Sequence, residues 1–383
     1  MGLVYTRLFS HTHQSCRNYC QGDIVYSNKT FFYDCKKKRY SYGVKLNIAV
    51  KGQICHGGSK ILEKWRSPYN AECLRGLSDY TFVKMLELDE FGSGSSGSNT
   101  VWIPPVNPVN PKIPVGGSSS GAPVAIVEKT IDFAIVTDTG GSARLPAIQC
   151  NIVGFKPSYG VISRFGVMPL SHTLDCVSIM CDKVNLRALE KFYMALQKNK
   201  KLDQTATSIL HPLPTAPIRC QLIQPDSKIY GINWEKFVEI LKLVHEMYYQ
   251  ITDPQFASNI LRYDGTRHNP DNISNHNYSE NLRRKKDLMT AETYGRFTRG
   301  LKILKQPKKT KVKQKITQFF SDIFNSCDIF AFKIPASKTP GKYDHYYSFC
   351  NILNYPAIVL DGIQYVANTN CDLKLLKYLC KKI

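Results

Sequence analysis

Apolar residues along much of this chain fall into short runs separated by turn-forming clusters. Between Val44 and Cys181, the runs Leu46–Val50, Ala122–Val127, Ile131–Val136 and Ile152–Phe155 read as buried strands or the starts of short helices. The stretches between them are dense in Gly, Ser and Pro, which mark turns. The period changes at Leu186–Leu196, where Leu186, Leu189, Phe192 and Leu196 recur at helical steps, and again from Trp234 to Tyr249. Beyond Lys302 the pattern is Lys-rich and helical, and strand-like runs return at Ile329–Ile334 and Ala357–Leu360. Strands interleaved with helices along the whole length predict one α/β domain, with no internal repeat. The expected break in order is the Asn-, Asp- and Lys-rich stretch 268–286.

Composition narrows this picture. With 383 residues and 43% hydrophobic positions the chain can bury a sizeable core, which excludes a disordered protein. No apolar run approaches the roughly eighteen residues a membrane span requires. The formal charge of +21 is concentrated in Lys36–Arg39, Arg283–Lys286 and the lysines from Lys308 to Lys315. Such clusters fit either an RNA or other anionic partner or a set of solvated loops, and no nucleic-acid motif decides between them. The thirteen cysteines are scattered and odd in number. Cys16 and Cys20 lack a second pair at ligand spacing, so no metal site is expected, and buried thiols are the better reading. Residues 1–22 contain Arg7 and Arg17 but no acid, the composition of a mitochondrial targeting segment. Residues 23–383 are then the single domain.

Three Gly/Ser clusters carry the candidate chemistry: 92–97, 116–121 and 139–142. The second and third abut apolar runs on both sides, which fits turns inside a core better than a linker. Gly121 is followed by Ala122-Pro123, so the second is not a phosphate-binding loop. Ser142 has Gly140 before it but Arg144 after it, so it is not a hydrolase nucleophile elbow. Of nine histidines only His56 lies near these clusters in sequence, which leaves Ser142 without an evident histidine base. The usual substitute is a lysine kept neutral by burial. Lys51, which follows the apolar run Leu46–Val50 and precedes Gly52, is the candidate, although residues alone make it one lysine among many.

The order of Lys51, then Gly116-Gly117-Ser118-Ser119-Ser120-Gly121, then Asp138-Thr139-Gly140-Gly141-Ser142-Ala143-Arg144 resembles the amidase signature family. The runs Gly154-Phe155-Lys156-Pro157-Ser158-Tyr159-Gly160, Ser163–Val167 and Leu174-Asp175 also match that family in order and spacing. Within the family, Ile61-Leu62-Glu63, Ser67–Ala71, Leu88–Gly92 and Ala257-Ser258-Asn259 through Arg267 resemble the A subunits of glutamyl-tRNA(Gln) amidotransferases in their fungal mitochondrial form. The resemblance is dense over about 44–181 and patchy to Leu360, in a shortened C-terminal half.

This resemblance implies a large mixed β-sheet covered by helices on both sides. It implies that Ser142 attacks the side-chain amide of glutamine, and that Ser118, held after a cis peptide, relays the proton to neutral Lys51. Backbone N–H groups of Thr139, Gly140 and Gly141 would hold the oxyanion. Asp344 matches the acid that receives the substrate amino group. The family's carboxylate-binding arginine aligns near Leu301, with Arg299 the nearest basic residue. The family has Asp-Asn after its lysine, whereas Gly52-Gln53 follow Lys51. Further implications are no cofactor in this chain, ATP and Mg used by a partner B subunit, a small fungal accessory subunit, Glu-tRNA(Gln) reached through the complex, and a place in the mitochondrial matrix. The alternatives are a stand-alone amidase for another small amide and a non-catalytic scaffold.

Overall fold

A computed structural model describes residues 39–207, 217–225, 233–263, 286–305, 311–339 and 341–382. The candidate targeting segment, Cys16 and Cys20, the segment Asp264–Arg267 and most of the lysine and arginine clusters lie outside these residues, as does nearly all of 268–286.

The elements, in chain order, begin with strand β1 (Tyr40–Lys45), β2 (Tyr80–Leu86), helix α1 (Gly121–Val127), β3 (Phe133–Asp138), α2 (Arg144–Gln149), β4 (Val153–Lys156), β5 (Cys176–Cys181) and α3 (Leu186–Leu196). They continue with β6 (Cys220–Ile223), α4 (Trp234–Leu261), α5 (Ala291–Ile303), α6 (Lys311–Ser326), β7 (Ile329–Lys333), α7 (His345–Ile352), β8 (Ala357–Leu360), β9 (Ile363–Ala367) and α8 (Asp372–Cys380). The nine strands form one sheet in the order β2-β1-β3-β5-β4-β8-β9-β7-β6. The pairs β1–β2, β1–β3 and β6–β7 are parallel and the rest antiparallel, so the sheet is mixed as expected.

Strand periodicity divides the core in two. Ala134 and Val136 of β3, Phe330 and Phe332 of β7, and Ala357 and Val359 of β8 join one apolar cluster with helices α1, α4, α6 and α7. Their strand neighbours Phe133, Ile135, Ile329, Ala331, Ile358 and Leu360 join the other, with α3 and α8. Alternate residues of a strand face opposite sides, so every central strand is buried on both and reads as a continuous apolar run. Helices therefore cover both faces.

Two expectations shift. Helix α3 runs over the predicted residues, but the helix predicted from Trp234 to Tyr249 continues to Leu261. Of the two forms expected of Ala122–Val127, strand or short helix, it takes the helix. Leu46–Val50 is neither strand nor helix: it is a buried loop with an isolated β-bridge between Ile48 and Val167, held also by backbone hydrogen bonds such as Leu46 N–H to Leu86 O and Met168 N–H to Asn47 O. The strand lies just upstream and ends at Lys45. Ten cysteines are described, all free, and seven of them are buried. Among the described residues no helix is long and apolar enough to cross a membrane.

Candidate active site

The sheet brings the second and third Gly/Ser clusters together at the ends of β1 and β3. Lys45, the last residue of β1, pairs with Leu86 of β2, while the preceding Val44 pairs with Ile135 of β3. That central position buries Lys45 completely. Its Nζ donates to Ser118 Oγ at 2.8 Å and to Thr137 Oγ1 at 3.0 Å. Asn47 Nδ2 also donates to Thr137 Oγ1, at 3.0 Å. Burial pulls the Lys45 pKa down to about 7, although Asp89, Asp138 and Asp175 oppose it. The charged form of a buried amine has lost its hydration, and three nearby carboxylates only partly replace it.

This corrects the sequence reading of Lys51. Lys51 is exposed, and among the described residues only its backbone N–H is engaged, by Asn70 Oδ1 at 2.8 Å. The apolar run before it is a loop, so no strand carries its side chain into the core. Both lysines lie next to the same apolar run, one at each end, and strand β1 ends at the earlier one. With Lys45 in the role, Asn47 stands where the family has its asparagine.

The peptide between Gly117 and Ser118 is cis, as the resemblance implies. Gly117 is required by a neighbour: a Cβ there would overlap the carboxylate of Asp89. Asp89 is fully buried and accepts the backbone N–H groups of Gly97 and Asn99 at 3.2 and 2.9 Å. It thus ties the first Gly/Ser cluster to the second. Burial pushes its pKa up to about 7 against those hydrogen bonds and Lys45.

The third cluster is a turn between β3 and α2, clamped by an ion pair. Asp138 accepts from the N–H of Gly141 at 2.9 Å and of Ala143 at 3.1 Å, and is met by Arg144 through Nε and Nη2 at 3.0 and 2.9 Å. Arg144 is itself fully buried and also bonds Tyr347 O, Gln364 Oε1 and Asn351 Oδ1. Burial would raise the Asp138 pKa, but Arg144 and these hydrogen bonds outweigh it and hold it at about 2. The clamp presents Ser142, half-buried, to a cavity of about 480 Å³. Glycine is needed beside it: a Cβ on Gly140 would lie 2.7 Å from the Tyr248 ring, and Gly141 has φ +129°.

Not every residue named for the oxyanion is free to act. The Gly141 N–H is committed to Asp138, which corrects that assignment. Thr139 does not line the cavity, and its hydroxyl donates to Asp175 Oδ1 at 2.6 Å. Gly140 lines the cavity, and neither its N–H nor that of Ser142 donates to a described group. Ser142 makes no hydrogen bond to Ser118 among the described contacts. Catalytic hydrogen bonds are often longer before substrate binds.

The far wall carries charge of both signs. Asp344 lines the cavity with Oδ1 buried and unpartnered, and burial raises its pKa despite a hydrogen bond from Ser95. Arg299 lines it too, with Nε 2.5 Å from Asp253 Oδ2. The sequence reading missed three further wall residues, Arg296, Glu292 and His245. Glu292, Arg296, Arg299 and Ile303 recur at helical steps along α5 and form its cavity face. That spacing was the available signal. His245 Nδ1 pairs with Ser348 Oγ at 3.2 Å, and burial, with His345 and Arg296, lowers its pKa to about 4. A lysine beside a relay serine, a second serine on a glycine turn and a charged cavity suit attack on an amide carbonyl. Among the described residues no cluster could hold a metal ion.

A family model described as amidase matches residues 42–220, which include Lys45, Ser118 and Ser142. The chain belongs to the amidase family of enzymes. Its curated relatives include the A subunit of the mitochondrial glutamyl-tRNA(Gln) amidotransferase of Candida albicans, 32% identical over 326 residues, or 76% of this chain and 72% of that one. The mitochondrial protein of the same name in Yarrowia lipolytica is 35% identical over 58% of this chain and 56% of its own. Among solved structures, the glutamyl-tRNA(Gln) amidotransferase A subunit from Thermotoga maritima superposes with a TM-score of 0.65 at 22% identity, over 88% of this chain and 81% of that one. A 6-aminohexanoate cyclic dimer hydrolase also gives 0.65, at 17% identity over 88% of this chain and 83% of that one. At these identities the two structures bear on the fold alone.

Proposed function

We propose that this chain is the glutamine-hydrolysing A subunit of a mitochondrial glutamyl-tRNA(Gln) amidotransferase. The observation that carries the chemistry is the buried Lys45–Ser118 hydrogen bond, together with a cavity lined by Gly117, the neighbour of Ser118, and by Ser142. The name borne by the relatives, mitochondrial in the fungal ones, supports the substrate and the compartment. Ser142 Oγ attacks the side-chain amide carbon of glutamine. Its proton passes through the Ser118 hydroxyl to neutral Lys45. The N–H groups of Gly140 and Ser142 receive the oxyanion, where fixed backbone donors stabilise developing charge. Collapse breaks the C–N bond, and the proton held on Lys45 returns through Ser118 to the leaving nitrogen, releasing ammonia. Water then attacks the glutamyl ester by the same relay and frees glutamate.

The carboxylate Asp344 and the arginines of α5 suit the amino and carboxylate groups of an amino acid. ATP and Mg are used by a partner B subunit, which takes the ammonia to the glutamyl group on tRNA; this chain needs no cofactor. A small accessory subunit completes the complex in the mitochondrial matrix, and residues 1–22 direct the chain there. Residues 23–383 form the amidase domain.

The test is ammonia release from glutamine by the copurified complex. Ser142→Ala is expected to abolish it while the complex still assembles. Full activity in that variant would end the proposal. A stand-alone amidase is the second reading, favoured by a cavity that this chain lines with its own residues. Activity in the chain alone, unchanged when the partner and tRNA are added, would select it.

A further inference from the structure

Two arginines of the cavity wall share one buried carboxylate. Asp253 is fully buried on α4, and its Oδ1 accepts from Arg296 Nε at 2.8 Å while its Oδ2 accepts from Arg299 Nε at 2.5 Å. Helix α5 reaches that carboxylate because residue 300 is glycine: a Cβ there would overlap the Asp253 carbonyl. The two arginines are otherwise unlike. Arg296 is buried, donates through Nη2 to Thr252 Oγ1 at 2.8 Å, bonds the Tyr248 hydroxyl, and faces the rings of Tyr248, Tyr249 and Phe256. Its donors are largely committed. Arg299 is half exposed, its guanidinium lies over the Tyr249 ring, and its two Nη groups donate to no described residue.

We infer that Asp253 is a positioning residue that holds Arg299 by Nε, so that its two Nη groups face the cavity and receive the substrate's carboxylate as a fork. The inference rests on the glutamine reading above. Arg296 is the fixed point: it locks Asp253 in place and supplies a second positive charge behind Arg299. One carboxylate between two guanidinium groups leaves this trio with a net positive charge, which an anionic substrate group neutralises. A planar guanidinium held at Nε presents its outer edge for two parallel hydrogen bonds to a carboxylate. Held this way, Arg299 loses little freedom on binding.

The experiment measures kcat and KM of the copurified complex for glutamine and for glutamine methyl ester, whose carboxylate is masked. In Asp253→Asn the amide can accept from only one arginine. KM for glutamine is expected to rise about tenfold with kcat little changed, and KM for the ester to stay where it is, the signature of a lost binding contact. Arg299→Gln, at an exposed side chain, is expected to do the same, and adding Asp253→Asn to it to change KM for glutamine no further. Equal losses on both substrates, in either single variant, would overturn the inference, as would an undiminished Asp253→Asn effect in the Arg299→Gln background. If Asp253→Asn does not fold, the Arg299→Gln comparison decides alone. Failure of the wild-type complex to hydrolyse glutamine is a separate outcome, and overturns the functional reading together with this one.

Discussion

Replacing Lys45 with methionine removes the proton acceptor and little else. The side chains are similar in length and the site is fully buried, so methionine can fill the space. The Ser118 and Thr137 hydroxyls lose a donor, but Thr137 Oγ1 still accepts from Asn47 Nδ2. A positioned general base contributes about 10²–10⁴ in rate, so ammonia release is expected to fall by that factor with folding preserved. The wild-type pH profile supplies the magnitude more directly. The Lys45 pKa lies at about 7 rather than the ordinary 10.5, first because burial penalises the ammonium. The active form is the neutral one, so activity is lost as pH falls through 7 and is nearly full a unit above. The neutral fraction rises from roughly a tenth at pH 6 to roughly nine-tenths at pH 8, a gain of about tenfold followed by a plateau. A lysine of ordinary pKa would give no plateau, and activity would keep climbing about tenfold per pH unit to pH 9. Initial rates of ammonia release, measured from pH 5.5 to 9 with folding checked by circular dichroism, separate the two. A climb without a plateau, or a Lys45→Met variant with wild-type rates, would refute this reasoning.

Three further substitutions probe the frame. Lys51→Ala is expected to leave ammonia release unchanged and stability within about 0.5 kcal/mol by thermal melting, because the side chain is exposed and only its backbone is engaged; a large loss of rate would restore Lys51 to the site. Arg144→Met strips a buried carboxylate of its partner and is expected to cost about 3–5 kcal/mol in denaturant unfolding; a melt near wild type would show that the clamp is not needed. Gly140→Ala drives a methyl into the Tyr248 ring beside the oxyanion donors, and is expected to lower kcat at least about 100-fold, the scale of losing one such donor, while the chain stays folded; an unchanged kcat would remove Gly140 from that role.

The fold was legible where local and global signals agreed. Continuous apolar runs at Ile131–Val136, Ile329–Ile334 and Ala357–Leu360 mark strands buried on both faces, and Leu186–Leu196 carries its helix in its period. Ser142 was legible because the glycine pair before it forms a turn between apolar runs, Ile131–Val136 ahead of it and Ile152–Phe155 after it. The lysine was not. Tyr40–Lys45 follows a lysine run and mixes Ser and Gly with its apolar residues, so it reads as a poor strand, whereas Leu46–Val50 is buried without being one. Tertiary pairing with β2 and β3 overrides local preference at β1. The charged wall was also concealed, because Arg296 sits in an ordinary amphipathic helix and its partner Asp253 lies on another.

The central claim, that Ser142 takes the acyl group, is tested most directly by trapping the intermediate. The complex is mixed with glutamine, quenched in acid before a full turnover, digested and mapped by mass spectrometry. A glutamyl adduct is expected on the peptide that carries Ser142, at that serine, and none in Ser142→Ala. An adduct on Ser118 or on a cysteine, still present when Ser142 is alanine, would contradict it.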